Sequence, residues 1–262
     1  MWRWTKILFS ILAGALAVWL IYEFITFPSI SKLRTENPET TSLIDARIAE
    51  AEEEGKKPKK EMIWQPVGQI SPNLQRAVIA GEDARFFEHE GFDWEAIQKA
   101  WDEAVREGEK EAKEAGEYDP DRWIPPMPSF KRGASTITQQ LAKNLYLSED
   151  RNFLRKGREA AITYFLEREL SKMRILEIYL NVIEWGDGIY GAEAASRHYF
   201  KKSASNLSAA EAAYLAAMVP SPLNVFNPKK NPRRVRTRQR ILQKHMRWVK
   251  LPPDGGKRKR GK

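Results

Sequence analysis

The chain of 262 residues has no cysteine. That excludes disulfide scaffolds, cysteine-ligated zinc and thiol catalysis, and it fits an oxidising compartment, where an unpaired thiol is a liability. Histidine is nearly as scarce: His89, His198 and His245 are the three, and no two stand at metal-ligand spacing. There is no Walker A run, and Ser135 lacks the glycine that a nucleophile elbow places after its serine. Strand patterns are few, so the chain reads as mainly α. Gly186-Asp187-Gly188-Ile189-Tyr190-Gly191 matches G-x-G-x-x-G literally, with Glu211 about twenty residues on as the dinucleotide fingerprint asks. The segment before it has helical spacing and no βαβ pattern surrounds it, so it reads as a glycine-rich turn between two helices.

One long hydrophobic run is present. Residues 7–27 are almost wholly apolar, with Glu23 the one charged residue. At about 1.5 Å rise per residue, a helix over 4–27 spans the ~30 Å hydrocarbon core. Arg3 and Lys6 precede it, which predicts a cytoplasmic N-terminus (residues 1–6), a single-pass anchor (7–27) and a body outside the cytoplasm. The rival reading is a cleaved signal peptide, but the run is long and no small-x-small site follows it. The net charge is +9, concentrated toward the C-terminus. Nucleic acid is the reflex partner for such charge, but not outside the cytoplasm. Membrane lipids with anionic headgroups, or a lipid-linked phosphate, fit better.

Residues 28–61 read as a polar connector and 251–262 as a basic tail. Between them, capping residues and apolar periodicity predict a series of helices. Ser71-Pro72 opens one that stops at Gly81. Asp93 caps another, with Trp94, Ile97 and Trp101 on one side. Residues 104–132 are charged and then Pro-rich, and read as an insertion of exposed helix plus irregular loop. Ser135 is expected to cap a helix to Tyr146, and Asn152 one to Leu170. Residues 172–183 and 191–199 follow, then a capping box at Ser208 and Glu211 and a last basic helix over 235–249.

The chemistry concentrates in two stretches. In AVIAGEDARFFEHEGFDW, from Ala77, the adjacent carboxylates Glu82 and Asp83 follow an apolar run and precede Phe86, Phe87 and His89. A carboxylate held against aromatics and beside another acid has its pKa raised, as general-base work requires. In GASTITQQLAKNLYL, Gln139, Gln140, Lys143 and Asn144 form a polar cluster, with Lys143 one turn beyond the glutamines. On the next helix Arg155 and Glu159 stand four apart, with Arg151 a turn before. Taken alone, each set also reads as an exposed polar face, and His89 as a packed, hydrogen-bonded residue.

These two stretches, with RKGREAAITYFLE and KMRILEIYLNVIEWGDGIYGAEAASRHYF, occur in the order of the conserved blocks of the peptidoglycan glycosyltransferases. The chain resembles the monofunctional branch of that family from about Trp64 to Val249, with no transpeptidase domain after it. The resemblance implies a lysozyme-like helical domain (residues 62–250) with a small membrane-facing lobe. It implies that lipid II is polymerised into β-1,4-linked strands at the bacterial inner (cytoplasmic) membrane, on the periplasmic side, with undecaprenyl pyrophosphate released and the anomeric configuration inverted.

By family position Glu82 is then the general base, with Asp83 beside it and Glu159 the second essential glutamate. Lys143, Arg151 and Arg155 are the cations for the leaving pyrophosphate. Phe86, Ser135, Gln139, Gln140 and Asn144 contact substrate. No cofactor is required, though a divalent cation (Mg2+ or Mn2+) is implied for some members, with Glu159 as its candidate ligand. The partners implied are lipid II, the growing glycan strand and other cell-wall synthesis and division proteins. Moenomycin is the family's phosphoglycolipid inhibitor. A lytic enzyme on the same scaffold is the main rival, but cleavage releases no pyrophosphate and gives the cations nothing to do.

Overall fold

In a computed structural model the chain is described over residues 2–119, 127–129, 135–147 and 153–252. Helix α1 (Trp2–Thr26) is apolar and, away from its last turn, stands clear of the rest. Residues 4–23 are long and apolar enough to cross a membrane, with a mean hydropathy of 1.9. At its C-terminal end it meets the body: Phe27 packs edge-on to Phe165 at 5.2 Å, and Arg158 bonds Glu23 at 3.1 Å and the Thr26 carbonyl at 2.7 Å.

The 28–61 stretch, expected to be a connector, is instead folded onto the body. A 3-10 turn over Ile30–Arg34 buries Ile30 and Leu33, and α2 (Ser42–Glu53) buries Ile44 and packs on α5. Charge hid this. The segment has few apolar residues, and it is tied down by side chains far away in sequence. Arg174 bonds the carbonyls of Leu33 (2.8 Å) and Glu36 (2.7 Å), and Arg34 pairs with Glu169 at 2.5 Å.

The centre is α7 (Lys172–Val182), in which Ile175, Leu176, Ile178, Tyr179, Leu180 and Val182 are all buried. Its Arg174 and Glu177 pair with each other on the side that is only partly buried. It packs on α5 (Ile137–Tyr146), α6 (Phe153–Glu169) and α8 (Ala192–Phe200), while α3 (Pro72–Glu82) packs on the alanine-rich α9 (Ala209–Met218). Small side chains on α9 let α3 and α10 (Pro232–His245) lie close on it. The caps expected at Ser71, Asp93 and Ser208 form, the last with its reciprocal Glu211. The cap of α5 is Thr136, one residue after Ser135, and Asn152 lies outside the described residues.

Helix α4 (Trp94–Glu114) runs deep into the stretch expected to be an insertion. Trp94 and Trp101 share a side as expected, but they are 71% and 51% exposed, so that side faces away from the core. The chain at 127–129 lies back across α4, burying Ala104 and Gly108, with the Ser129 amide on the Ala104 carbonyl at 2.9 Å.

The glycine motif is a β-hairpin. β2 (Glu184–Gly186) turns at Asp187-Gly188 into β3 (Ile189–Tyr190), and β1 (Glu61–Met62) pairs with β3 in parallel, Glu61 opposite Ile189. Gly188 has φ +70°, and a Cβ there would stand 2.3 Å from that of Lys59. The glycines serve a tight turn and a close strand approach.

Candidate functional site

α3 delivers Glu82 at its last residue, where the helix ends against α10. Gly81 allows that approach, since a Cβ would lie 3.1 Å from Leu242. The Glu82 side chain is 8% exposed, and each oxygen is fixed. Oε1 accepts from Arg238 Nη2 at 2.9 Å, and Oε2 from Gln140 Nε2 at 3.1 Å. The Gln140 carbonyl oxygen in turn accepts from the buried Tyr179 hydroxyl at 2.7 Å, which orients the amide. Burial pushes the Glu82 carboxyl above its ordinary value, Arg238 and Gln140 pull it back down, and Asp83 adds the smallest push upward. The upward push expected from the like charge is therefore secondary to desolvation.

Asp83 is turned the other way. Its oxygens accept from His89 Nε2 (2.9 and 3.1 Å) and from the Ile137 amide at 3.0 Å, the first turn of α5. The Gly91 amide donates to His89 Nδ1 at 3.2 Å, so the ring proton sits on Nε2 facing Asp83. Thr136 Oγ1 donates to the Gly91 carbonyl at 2.7 Å. These bonds lock the loop after α3 onto the start of α5. His89 is thus the hydrogen-bonded residue that its neighbours suggested.

α5 places Ile137, Leu141, Ala142 and Leu145 in the core. Gln140, Lys143 and Asn144, three and four apart, fall on another face. All three line a cleft of about 230 Å³ with Arg47, Tyr179, Glu184 and the 219–224 turn. Lys143 is exposed and makes no ion pair among the described residues.

The other expected residues are placed differently. Phe86 is wholly buried, edge-on to Phe87 at 5.1 Å and 4.5 Å beneath the Lys172 ammonium, so it forms a wall behind the surface. Gln139 is buried and spent on the capping box, its carbonyl oxygen accepting from the Thr136 amide at 3.0 Å. Ser135 is exposed at the entry to α5. On α6, Glu159 is 3% exposed and pairs with Arg155 at 2.9 Å and with Lys156. Arg155 and Glu159 do not line the cleft. Arg151 lies outside the described residues.

Two residues were missed. Arg238 sits in a run of arginines where nothing in composition marks it, but it falls between Val235 and Leu242 on the buried stripe of α10. A charge on an apolar stripe was the readable signal. Tyr179 counted only as part of the apolar set of α7.

A divalent cation does not fit Glu159, whose two oxygens already face two cations. Asp83, His89 and Asp93 bring ligand atoms within 4.8 Å of one another. Their donors and acceptors are engaged: Asp93 accepts from the Ala96 amide at 2.9 Å and lies 3.7 Å from Arg85.

A family model described as Transglycosylase matches residues 48–115 and 127–247. Only 116–126, inside the expected 104–132 insertion, interrupt it. Biosynthetic peptidoglycan transglycosylases are similar along nearly the whole length. The one from Laribacter hongkongensis is 44% identical, covering 92% of this chain and 96% of its own. That from Chromobacterium violaceum is 43% identical, covering 95% and 100%. That from Thiobacillus denitrificans is 42% identical, covering 96% and 98%. With the family match and these relatives agreeing from end to end, the chain belongs to the transglycosylase family.

Proposed function

We propose that the chain is a peptidoglycan glycosyltransferase that polymerises lipid II. The acceptor's GlcNAc 4-hydroxyl attacks C1 of the donor's MurNAc as Glu82 takes its proton. The bond from C1 to the pyrophosphate oxygen breaks on the opposite face. The new linkage is β-1,4, and undecaprenyl pyrophosphate leaves with the bonding electrons. Peptide cross-linking is not part of the proposed activity.

The observation that carries this reading is Glu82: a desolvated carboxylate with a raised pKa, aimed by one bond to each oxygen and set behind a cleft whose Lys143 makes no ion pair among the described residues. A neutral hydroxyl needs such a base, and a leaving diphosphate needs such a cation. In this reading Lys143 meets the pyrophosphate, Asn144 and Ser135 bind along the cleft, and Asp83 holds the Glu82 loop to α5. Glu159 holds Arg155 in an ion pair on α6 beyond the cleft lining, and Arg151 adds a further charge. Phe86 and Gln139 support these groups from behind. No step is assigned to a metal ion.

α1 is the anchor, with its N-terminus in the cytoplasm and the catalytic body (62–250, carried by the folded 28–61 segment) on the outer face. Leu154 and Phe165 on α6 expose apolar surface beside Trp19 and Phe27, which suits a lobe that faces lipid.

The test is Glu82→Gln on purified protein with lipid II. The variant should fold and lose at least ~10²-fold in rate, the scale of general-base catalysis. Moenomycin should stop the parent chain. Strand formation by the variant near the parent rate would remove Glu82 from the mechanism.

A further inference from the structure

A cavity of about 580 Å³ lies where the starts of α3 and α9 meet the end of α10, and it shares no lining residue with the cleft. The two helix starts are tied together there. The Leu207 carbonyl accepts from Ser71 Oγ at 3.0 Å and from Asn73 Nδ2 at 3.1 Å.

Three cations line this cavity: Arg76 from α3, Arg247 from the turn after α10, and Lys250. None makes an ion pair among the described residues. Arg76 is half-buried, and Arg247 spends only its Nε, on the Lys244 carbonyl at 2.9 Å. No carboxylate lines the cavity. The acids of α3 and α9, Glu82 and Glu211, are held by Arg238 at 2.9 Å and Lys202 at 2.8 Å. From Ala212 to Pro253 the sequence has ten Lys or Arg and no Asp or Glu, so α10 and the turn after it bring no counter-charge. A hollow lined by one sign of charge concentrates ions of the other.

We propose that this cavity binds a phosphate group carried on a small soluble molecule, with Arg76, Arg247 and Lys250 as its donors. The site is separate from the polymerase reaction and does not rest on that reading. A phosphomonoester carries close to two negative charges near neutral pH and has three free oxygens, enough to engage three cations at once. A carboxylate has one charge and two oxygens, and a lipid phosphodiester has one charge. Guanidinium forks fit phosphate oxygens in pairs, and an ammonium adds a point charge. The cavity has the volume of a small-ligand site and is larger than one phosphate group. Val249 and Leu251 give the rest of the molecule an apolar wall.

The probe is inorganic pyrophosphate, added to the full-length chain in detergent while lysines are acetylated and the modified sites are read by mass spectrometry. At about ten times its dissociation constant it should slow acetylation of Lys250 about ten-fold, as the unoccupied fraction falls. Exposed Lys229, which does not line the cavity, should react as before. Arg76→Gln and Arg247→Gln should each weaken binding about ten-fold, the loss expected of one charge-assisted hydrogen bond. Arg247→Gln removes an exposed charge, so its thermal unfolding should match the parent's, and it decides the matter if Arg76→Gln fails to fold. Lys143→Ala, altered in the cleft, should keep the Lys250 protection.

The site is overturned if Lys250 is not protected, if Lys229 is protected equally, or if neither arginine variant binds more weakly. Equal protection by succinate at the same ionic strength would make this a general anion surface. Protection in phosphatidylglycerol nanodiscs with none from pyrophosphate would make it a lipid contact. Loss of protection in Lys143→Ala would assign the probe to the cleft. Each of these three outcomes also removes the proposed site.

Discussion

At the scale of single residues, the site turns on how Glu82 and Asp83, neighbours in sequence, are separated in role. The peptide between them ends α3, so Glu82 faces α10 and Gln140 while Asp83 faces His89 and the start of α5. The sequence made the pair visible and placed it at a helix end. It did not reveal Arg238, whose guanidinium arrives from 156 residues away. Arg238 favours the charged form of Glu82 against burial. A general base works ionised, so the rate should climb with pH through the folded-state pKa of Glu82. Arg238→Ala removes the counter-charge, raises that pKa further and should move the acid limb of the kcat/KM profile to higher pH. Arg238→Lys should bring part of it back. An acid limb that stays in place in Arg238→Ala would show that Arg238 does not tune the base.

At the scale of elements, caps and apolar spacing were readable because they are local. A serine or threonine before a helix and a glutamate or glutamine three residues on satisfy the same backbone groups wherever they occur. What failed were elements held by distant partners. The 28–61 stretch is folded by Arg174 and Arg34, and three short strands form because the hairpin meets residues 61–62. The glycine motif shows the cost of reading spacing without tertiary context, since Gly191 serves packing. It opens α8 at φ +83°, and a Cβ would lie 2.5 Å from the Asn181 carbonyl oxygen. Gly191→Ala should destabilise the fold by more than about 2 kcal/mol, because both the positive φ and a backbone clash act against it. Chemical denaturation would measure this, and a loss near zero would contradict the close packing of α8 on α7.

At the scale of the whole molecule, the buried cluster begins at Ile30 and, among the described residues, includes none of α1. Among the described residues α1 meets the body near its C-terminal end, through Trp19, Phe27 and the Arg158 contacts. Deleting residues 1–27 should therefore leave a folded, cooperative domain that polymerises lipid II in detergent. The same deletion should release the protein from the membrane fraction and lower its rate on lipid II in vesicles, because the substrate and the site then no longer share a surface. A truncated chain that fails to fold would show that α1 belongs to the core.

Read without the fold, the residues already showed the apolar N-terminal helix, most of the later helices, the motifs that mark the family, and the acidic pair with polar residues on the next helices. These are written in periodicity, in caps and in short ordered motifs, all of which act within a few residues. That burial, more than Asp83, raises Glu82, that Arg238 bonds Glu82 while Tyr179 orients Gln140, and that Phe86 and Gln139 are buried follow from the folded arrangement alone. Desolvation and hydrogen-bond partners depend on which distant surfaces meet, and no local pattern in the chain encodes that meeting.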